Sequence, residues 1–348
     1  MRTRLLLTGV ALLTAAAGAL RYTSVSQVLA FVVAGGSLAG LAWVVAFSTE
    51  QVGQRFGPAV TGVLQSTLGN LPEFFVVVFA LSAGEVVVAQ TSIIGSIFAN
   101  ALLVLGGVLV AGARTAKDGV MRFSVRLPRD NATLLLLATF LIVILSIASQ
   151  SGSPAAHHVK AISIAGAVAL LVTYVVWLAD YLRSDIPTAP APEGEATFSF
   201  AGSVALLGIA GVGAAFVSDW FIHALRPAMD SLGVPDAFAG LVIVAIAGNA
   251  VENTAGFTLA LKGESDLAIS VVKNSVAQIA AFLFPALVLV SLLFSTTLTF
   301  LLAPVFVGAL AATALALWQI TADGEARAFE GTALMATYAI LAVVAWFQ

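Results

Sequence analysis

The chain has 348 residues, 60% of them hydrophobic and only 9% charged, with a formal net charge of −3 and a mean hydropathy of +1.05. A soluble domain carries about 25% charged and about 45–50% apolar residues, so the excess apolar surface is built to face hydrocarbon; the small net charge argues against nucleic acid or another polyanion as partner. Cysteine is absent and histidine occurs three times, which excludes disulfides, thiolate metal sites and a cysteine nucleophile, and argues against a histidine-rich metal centre.

A membrane-crossing helix needs about 20 mostly apolar residues. Eleven stretches meet that description: 4–20, 25–48, 58–82, 86–112, 131–149, 159–182, 199–222, 235–261, 265–293, 296–320 and 328–347. No barrel-type alternation is present, so the expected fold class is an all-α polytopic membrane protein in a lipid bilayer. The first stretch follows Met1-Arg-Thr-Arg4 and also has the form of a signal peptide; it is read as a retained leading helix because it counts sensibly with the later spans. Arg114 to Asp130 forms a basic loop, and a Pro-rich linker over 186–198 falls near the middle. His157, His158 and His223 sit at span edges, as solvated loop residues do.

Basic residues set orientation. The N-terminus and every second loop after it hold Arg2, Arg4, Arg55, Arg114, Lys117, Arg122, Arg126, Arg129, Arg183, Lys262 and Arg327, whereas the opposite side holds Arg21, Lys160 and Arg226. The expected N-terminus is therefore cytoplasmic and the C-terminus outside, in the plasma membrane of a prokaryote.

Shifting the sequence by 179 residues superimposes Gly69 on Gly248, Asn70 on Asn249, Glu73 on Glu252, Gly84-Glu85 on Gly263-Glu264 and Ser96 on Ser275. A second pair, Ala46-Phe-Ser-Thr-Glu50 and Ala215-Phe-Val-Ser-Asp219, matches at 169. Five landmarks at one spacing indicate an internal repeat. The chain divides into a leading helix (1–24), a first five-helix repeat (25–185), the linker (186–198) and a second five-helix repeat (199–348). Five is odd, so the repeats enter the membrane from opposite sides, a plan that places a site near the midplane where they meet.

Glu73 and Glu252 sit mid-span in apolar surroundings, where an ionised carboxylate is costly unless it meets a cation or a proton. A structural acid would need a basic partner, and only Lys273 lies deep. Gly69 and Gly248 let a helix loosen, Pro72 frees a carbonyl, and Asn70 and Asn249 add neutral oxygens. Two carboxylates among such oxygens suit a hard dication. Ser96 and Ser275 follow on the next helices, with Gln90, Asn100 and Gln278 nearby; lining a pathway and ordinary bonding between helices are both open to them. Glu50 and Asp219 end equivalent helices and either attract cations at the two mouths or are solvated charges.

These residues resemble the cation/calcium exchanger superfamily, and within it the Ca²⁺/H⁺ exchanger branch. The resemblance rests on Thr49-Glu50, Gly69-Asn-Leu-Pro-Glu73, Gln90-Thr-Ser-Ile-Ile-Gly-Ser96 with Asn100, Leu102-Leu-Val-Leu-Gly106, Arg122-Phe-Ser124, Gly248-Asn-Ala-Val-Glu252, Asp266-Leu-Ala268 and Gln278-Ile-Ala280. It implies an eleven-helix fold of one leading helix plus two inverted repeats, and a shared cation site at Glu73 and Glu252 that takes Ca²⁺ from one side and protons from the other. It implies a transporter rather than an enzyme, with no cofactor and small cations as partners. Three departures stand out: Glu252 is followed by Asn253 where the family often has His, Lys273-Asn274-Ser275 replaces the usual Gly-Ser, and the acidic segment of eukaryotic relatives is reduced to Glu193 and Glu195. An ammonium at Lys273 near two carboxylates weakens a dication site, so Na⁺ or K⁺ handling on the same scaffold is the alternative; a non-transporting scaffold or a membrane-embedded enzyme is a lesser one.

Overall fold

The computed structural model describes residues 2–23, 26–53, 55–56, 64, 67–183 and 198–348; for residue 2, residues 126–128 and residues 250–253 it describes the backbone alone. The predicted linker, apart from Phe198, lies outside the described residues.

Among the described residues, eight helices are long and apolar enough to cross a membrane: α1 (Arg2–Arg21), α2 (Gln27–Gly53), α4 (Val86–Thr115), α5 (Arg126–Gln150), α6 (Val159–Arg183), α7 (Phe200–Leu232), α10 (Ser265–Leu293) and α12 (Ala328–Trp346). Shorter helices intervene at α3 (Leu71–Ser82), α8 (Asp236–Gly248), α9 (Ala250–Leu261) and α11 (Pro304–Ile320). Eight predicted spans are thus helices of crossing length, and the other three, 58–82, 235–261 and 296–320, hold the shorter ones.

Two boundaries differ from expectation. The span predicted over 199–222 runs on to Leu232 through Pro227 and ends at Gly233, whose φ of 64° no β-carbon favours. The span predicted over 296–320 is helical only from Pro304, because Phe294–Ala303 is not helical. Non-helical backbone at depth survives only where its polar groups are met. Here Leu298 N–H donates to Ser291 Oγ (2.9 Å), Phe300 N–H donates to Ser163 Oγ (3.2 Å), and Gln90 Nε2 donates to the carbonyls of Thr299 (3.4 Å) and Leu301 (3.2 Å).

The repeat is visible in the backbone. Asn70 (φ −83°, ψ 7°) and Asn249 (φ −93°, ψ 16°) break their helices alike, and α3 and α9 begin one residue later. Gly84 and Gly263 turn at φ 82° and 80°. Glu85 (−81°, 62°) and Glu264 (−82°, 64°) then open α4 and α10, and each of these helices contains a π-helical segment, Ala99–Val104 and Ile279–Leu283.

Contacts between loops define two faces. On one, Arg226 pairs with Glu85 (3.4 Å) and Asp236 (3.1 Å), and Thr296 Oγ1 donates to the Leu81 carbonyl. On the other, Thr115 Oγ1 donates to the Ala260 carbonyl and Ser124 N–H donates to Asp266. The second face also carries the antiparallel ribbon of β1 (Val120–Arg122) and β2 (Glu325–Arg327). Arg122 there bonds Asp118 (2.7 Å) and Glu325 (3.1 Å), and its guanidinium holds the Asp118 carboxyl below the usual carboxylate range. Helix α3 ends at the first face and α9 at the second, so the motif helices are antiparallel. Burial ranks the spans: the apolar window of α4 is 83% buried and that of α10 67%, against 6% for α1. The core is therefore built around the helices that follow the motifs.

Candidate functional site

Both motifs interrupt a helix at asparagine and restart it at depth. A helix restart presents unpaired backbone N–H groups and the positive end of the helix dipole. Glu73 lies in the first turn of α3 behind Pro72, which costs no hydrogen bond there, and its residue is 6% exposed. Gly69 is buried just ahead of it.

The motifs meet. A β-carbon on Gly248 would lie 3.0 Å from both Cγ and Oε1 of Glu73. The absent side chain of the second motif thus makes the space that the carboxylate of the first fills. A void of about 10 Å³, at the lower limit for one water, adjoins it between Glu73, Ser92, Ser96, Val244, Gly248 and Leu283. Glu252 and Asn253 lie on α9, but their side chains are outside the described residues.

Four neutral side chains join the repeats beside this contact. Asn100 Nδ2 donates to Asn249 Oδ1 (2.7 Å) and to Ser275 Oγ (3.0 Å). Asn249 Nδ2 donates to Ser96 Oγ (2.7 Å) and to the Ala245 carbonyl (2.8 Å). All four are 4% exposed or less. Asn100 lies in the π-helical segment of α4, one residue after its start; such a segment re-aims the side chains beyond it. Asn70, Asn249, Ser96, Ser275 and Asn100 are therefore oxygen-bearing groups at or near the meeting of the motifs.

Other predicted site residues lie elsewhere. Gln90 supports the backbone of residues 299–301. Lys273 is 1% exposed, and its Nζ donates to Thr321 Oγ1 (2.6 Å), which donates onward to the Leu317 carbonyl (2.7 Å). Two residues on a helix are about 200° apart, so Lys273 points away from the side on which Ser275 meets Asn100. Next to it, Asn274 Oδ1 accepts from Asn131 Nδ2 (2.7 Å). Gln278 is buried beside Tyr174 of α6, which stacks on Phe282 with ring centroids 5.3 Å apart. Glu50 and Asp219 are partly exposed near the ends of α2 and in α7. Sequence reasoning gave no site role to Tyr174, Thr321 or Asn131, nor to Gly95, where a β-carbon would lie 2.5 Å from the Leu241 carbonyl oxygen. The last had a signal, a glycine directly before the repeated serine.

Among the described residues no three acidic or histidine side chains converge on one point. Among the described residues this contact gathers the Glu73 carboxylate of the first repeat and neutral oxygen-bearing side chains of both.

The family model for the sodium/calcium exchanger protein matches residues 26–180 and 202–347. The Ca(2+)/H(+) antiporter ChaA of Bacillus subtilis (strain 168) is 29% identical over 303 residues, covering 85% of this chain and 86% of that protein. The vacuolar calcium ion transporter of Schizosaccharomyces pombe is 30% identical over 316 residues, covering 88% and 76%. The solved structure of native YfkE aligns at a TM-score of 0.80 and 26% identity, over 100% of both chains.

Proposed function

This chain belongs to the sodium/calcium exchanger protein family, and from that premise we propose that it is a secondary antiporter exchanging Ca²⁺ for H⁺ at a midplane site formed by Glu73 and Glu252. The carrying observation is the seat of the Glu73 carboxylate against Gly248, at the junction of two helix restarts of opposite direction. The printed functions of the bacterial and fungal relatives support the same cation and, for the bacterial one, the same counter-ion.

Each group has a role in this reading. Two carboxylates neutralise the dication. Asn70, Asn249, Ser96 and Ser275, with carbonyls freed at Gly69 and Gly248, bring neutral oxygens toward the six to eight that Ca²⁺ takes. When the metal leaves, a bare carboxylate at this depth is costly, and a proton removes the cost. Because the motif helices run in opposite directions, access alternates between the two faces. The ribbon face is cytoplasmic by the distribution of basic residues, and the bacterial relative suits a prokaryotic plasma membrane.

Inside-out vesicles with an imposed pH gradient test this directly. Wild type should accumulate Ca²⁺, and Glu73→Gln or Glu252→Gln should not. Absence of uptake by wild type, or full uptake by both variants, sinks the reading. Competition by excess Na⁺ or K⁺ in place of Ca²⁺ would move the assignment to a monovalent cation on the same site.

A further inference from the structure

Helices α2 and α7 carry a pair of hydroxyls that the site just described does not use. Serine and threonine inside a helix ordinarily bond the carbonyl three or four residues back. Here Thr91, Ser92, Thr115, Ser203 and Thr321 all do so. Thr49 and Ser218 do not. Both are fully buried, and neither Thr49 Oγ1 nor Ser218 Oγ has a hydrogen-bond partner among the described residues.

Their positions are not independent. Thr49 and Ser218 are related by the same 169-residue spacing that relates Glu50 to Asp219, and each directly precedes its carboxylate. Ser48, Thr139 and Ser146 also lack a partner, but none of them adjoins an acid, and the repeat mate of Ser48 is Val217. The helices also cross over. Helix α2 of the first repeat packs on α8 and α9, which hold the second motif, and α7 of the second repeat packs on α3, which holds the first. A buried hydroxyl left without a partner is a standing cost. That it occurs twice, at one repeat position, beside a partly exposed acid and on the helix crossing the opposite motif, indicates that the missing partner arrives during function.

We propose that Thr49 and Ser218 are transfer ligands for the transported cation, one on each side of the midplane site. The carboxylate of Glu50 or Asp219 draws the hydrated ion to the mouth. The neighbouring hydroxyl oxygen then replaces one of its waters on the way to Glu73 and Glu252; no proton leaves the hydroxyl. The inference rests on the antiport reading above and adds the two half-paths to it.

Thr49→Val and Ser218→Ala remove the hydroxyls with little change in shape, and Thr49→Ser and Ser218→Thr keep them. Cation uptake is measured in inside-out and right-side-out vesicles, with thermal melting of the purified proteins alongside. The loss of one neutral ligand should raise KM about fivefold, for Thr49→Val from the ribbon face and for Ser218→Ala from the opposite face. The hydroxyl-keeping variants should retain the wild-type KM, and melting should not fall in Thr49→Val or Ser218→Ala, since neither removes a hydrogen bond. Wild-type kinetics in Thr49→Val and Ser218→Ala, or transport lost together with melting temperature, overturns the inference while leaving antiport intact. A wild type that exchanges no cation at all overturns both.

Discussion

Lys273 occupies in the second repeat the position of Ile94 in the first, and Asn274 the position of Gly95. The backbones around them match, yet the side chains do opposite things. Gly95 admits the Leu241 carbonyl of α8 to a distance no side chain would allow. Asn274 instead reaches Asn131 of α5 with a hydrogen bond. The reverse substitutions also occur: Gln90, Ser92 and Asn100 of α4 answer to Ile269, Val271 and Ile279 of α10. Polarity is thus shared out rather than duplicated. The first repeat spends its polar residues on the motif contact and on the backbone of residues 299–301. The second places its own on the ribbon side of α10. An inverted repeat fixes where two acids stand, but it leaves the two approaches free to differ.

The largest test of that division concerns the acids, where the repeats should be equal. Glu73→Gln and Glu252→Gln each remove one of the two carboxylates on which the proposed site rests, so each should lower exchange by at least about 100-fold. Transport within tenfold of wild type in one variant alone would break the symmetry of the site itself.

The next test is where the repeats should be unequal. In Gly95→Ala the new methyl meets a backbone carbonyl, which cannot swing aside, so α4 and α8 must separate; about 3 kcal/mol of stability should go. Asn274→Ala removes one hydrogen bond and leaves Asn131 to find another partner, a loss of about 1–2 kcal/mol. Melting of the two purified variants decides the order. A Gly95→Ala protein that melts with wild type would mean that the close crossing of α4 and α8 is not a requirement of the fold.

Much of this was legible beforehand, for physical reasons. Lipid demands long apolar runs, so the eight crossing-length helices stand where hydropathy puts them. The Gly-Asn steps marked both helix breaks, because the asparagine and glycine that loosen a helix are also unusual in hydrocarbon. Other features left no such mark. The π-helical segments at Ala99–Val104, Ala239–Val244 and Ile279–Leu283 have the same apolar pattern as an α-helix, and without them the direction of Asn100 cannot be read. Gln90 was a candidate for the site because it is polar at depth, but polarity at depth serves equally to meet loop carbonyls, as it does at Thr299 and Leu301. The onset of α11 was misplaced because Ser295, Thr296, Thr297 and Thr299 interrupt the run too weakly to register in a hydropathy window.

The smallest expected effect comes from restoring symmetry at Lys273. Lys273→Ile would give α10 the residue that α4 has at Ile94. Thr321 loses its donor but keeps its own bond to the Leu317 carbonyl, so no hydroxyl is stranded. Exchanging a buried polar group for an apolar one of suitable volume is often neutral or stabilising, so melting should hold or rise by about 1 kcal/mol. The electrostatic consequence sets the sign for function. A unit charge and a dication about 10 Å apart at an effective dielectric near 20 interact by about 3.3 kcal/mol, an upper bound of about 250-fold on the gain in apparent Ca²⁺ affinity; the turn of Lys273 toward Thr321 argues for a far smaller gain, about threefold. Affinity that is unchanged or lower would detach Lys273 from the cation site and leave it a structural amine of the second repeat. A rise confined to Ca²⁺, with Na⁺ and K⁺ competition unaltered, would make it the residue by which the second repeat moderates the charge of a site the two repeats otherwise build as equals.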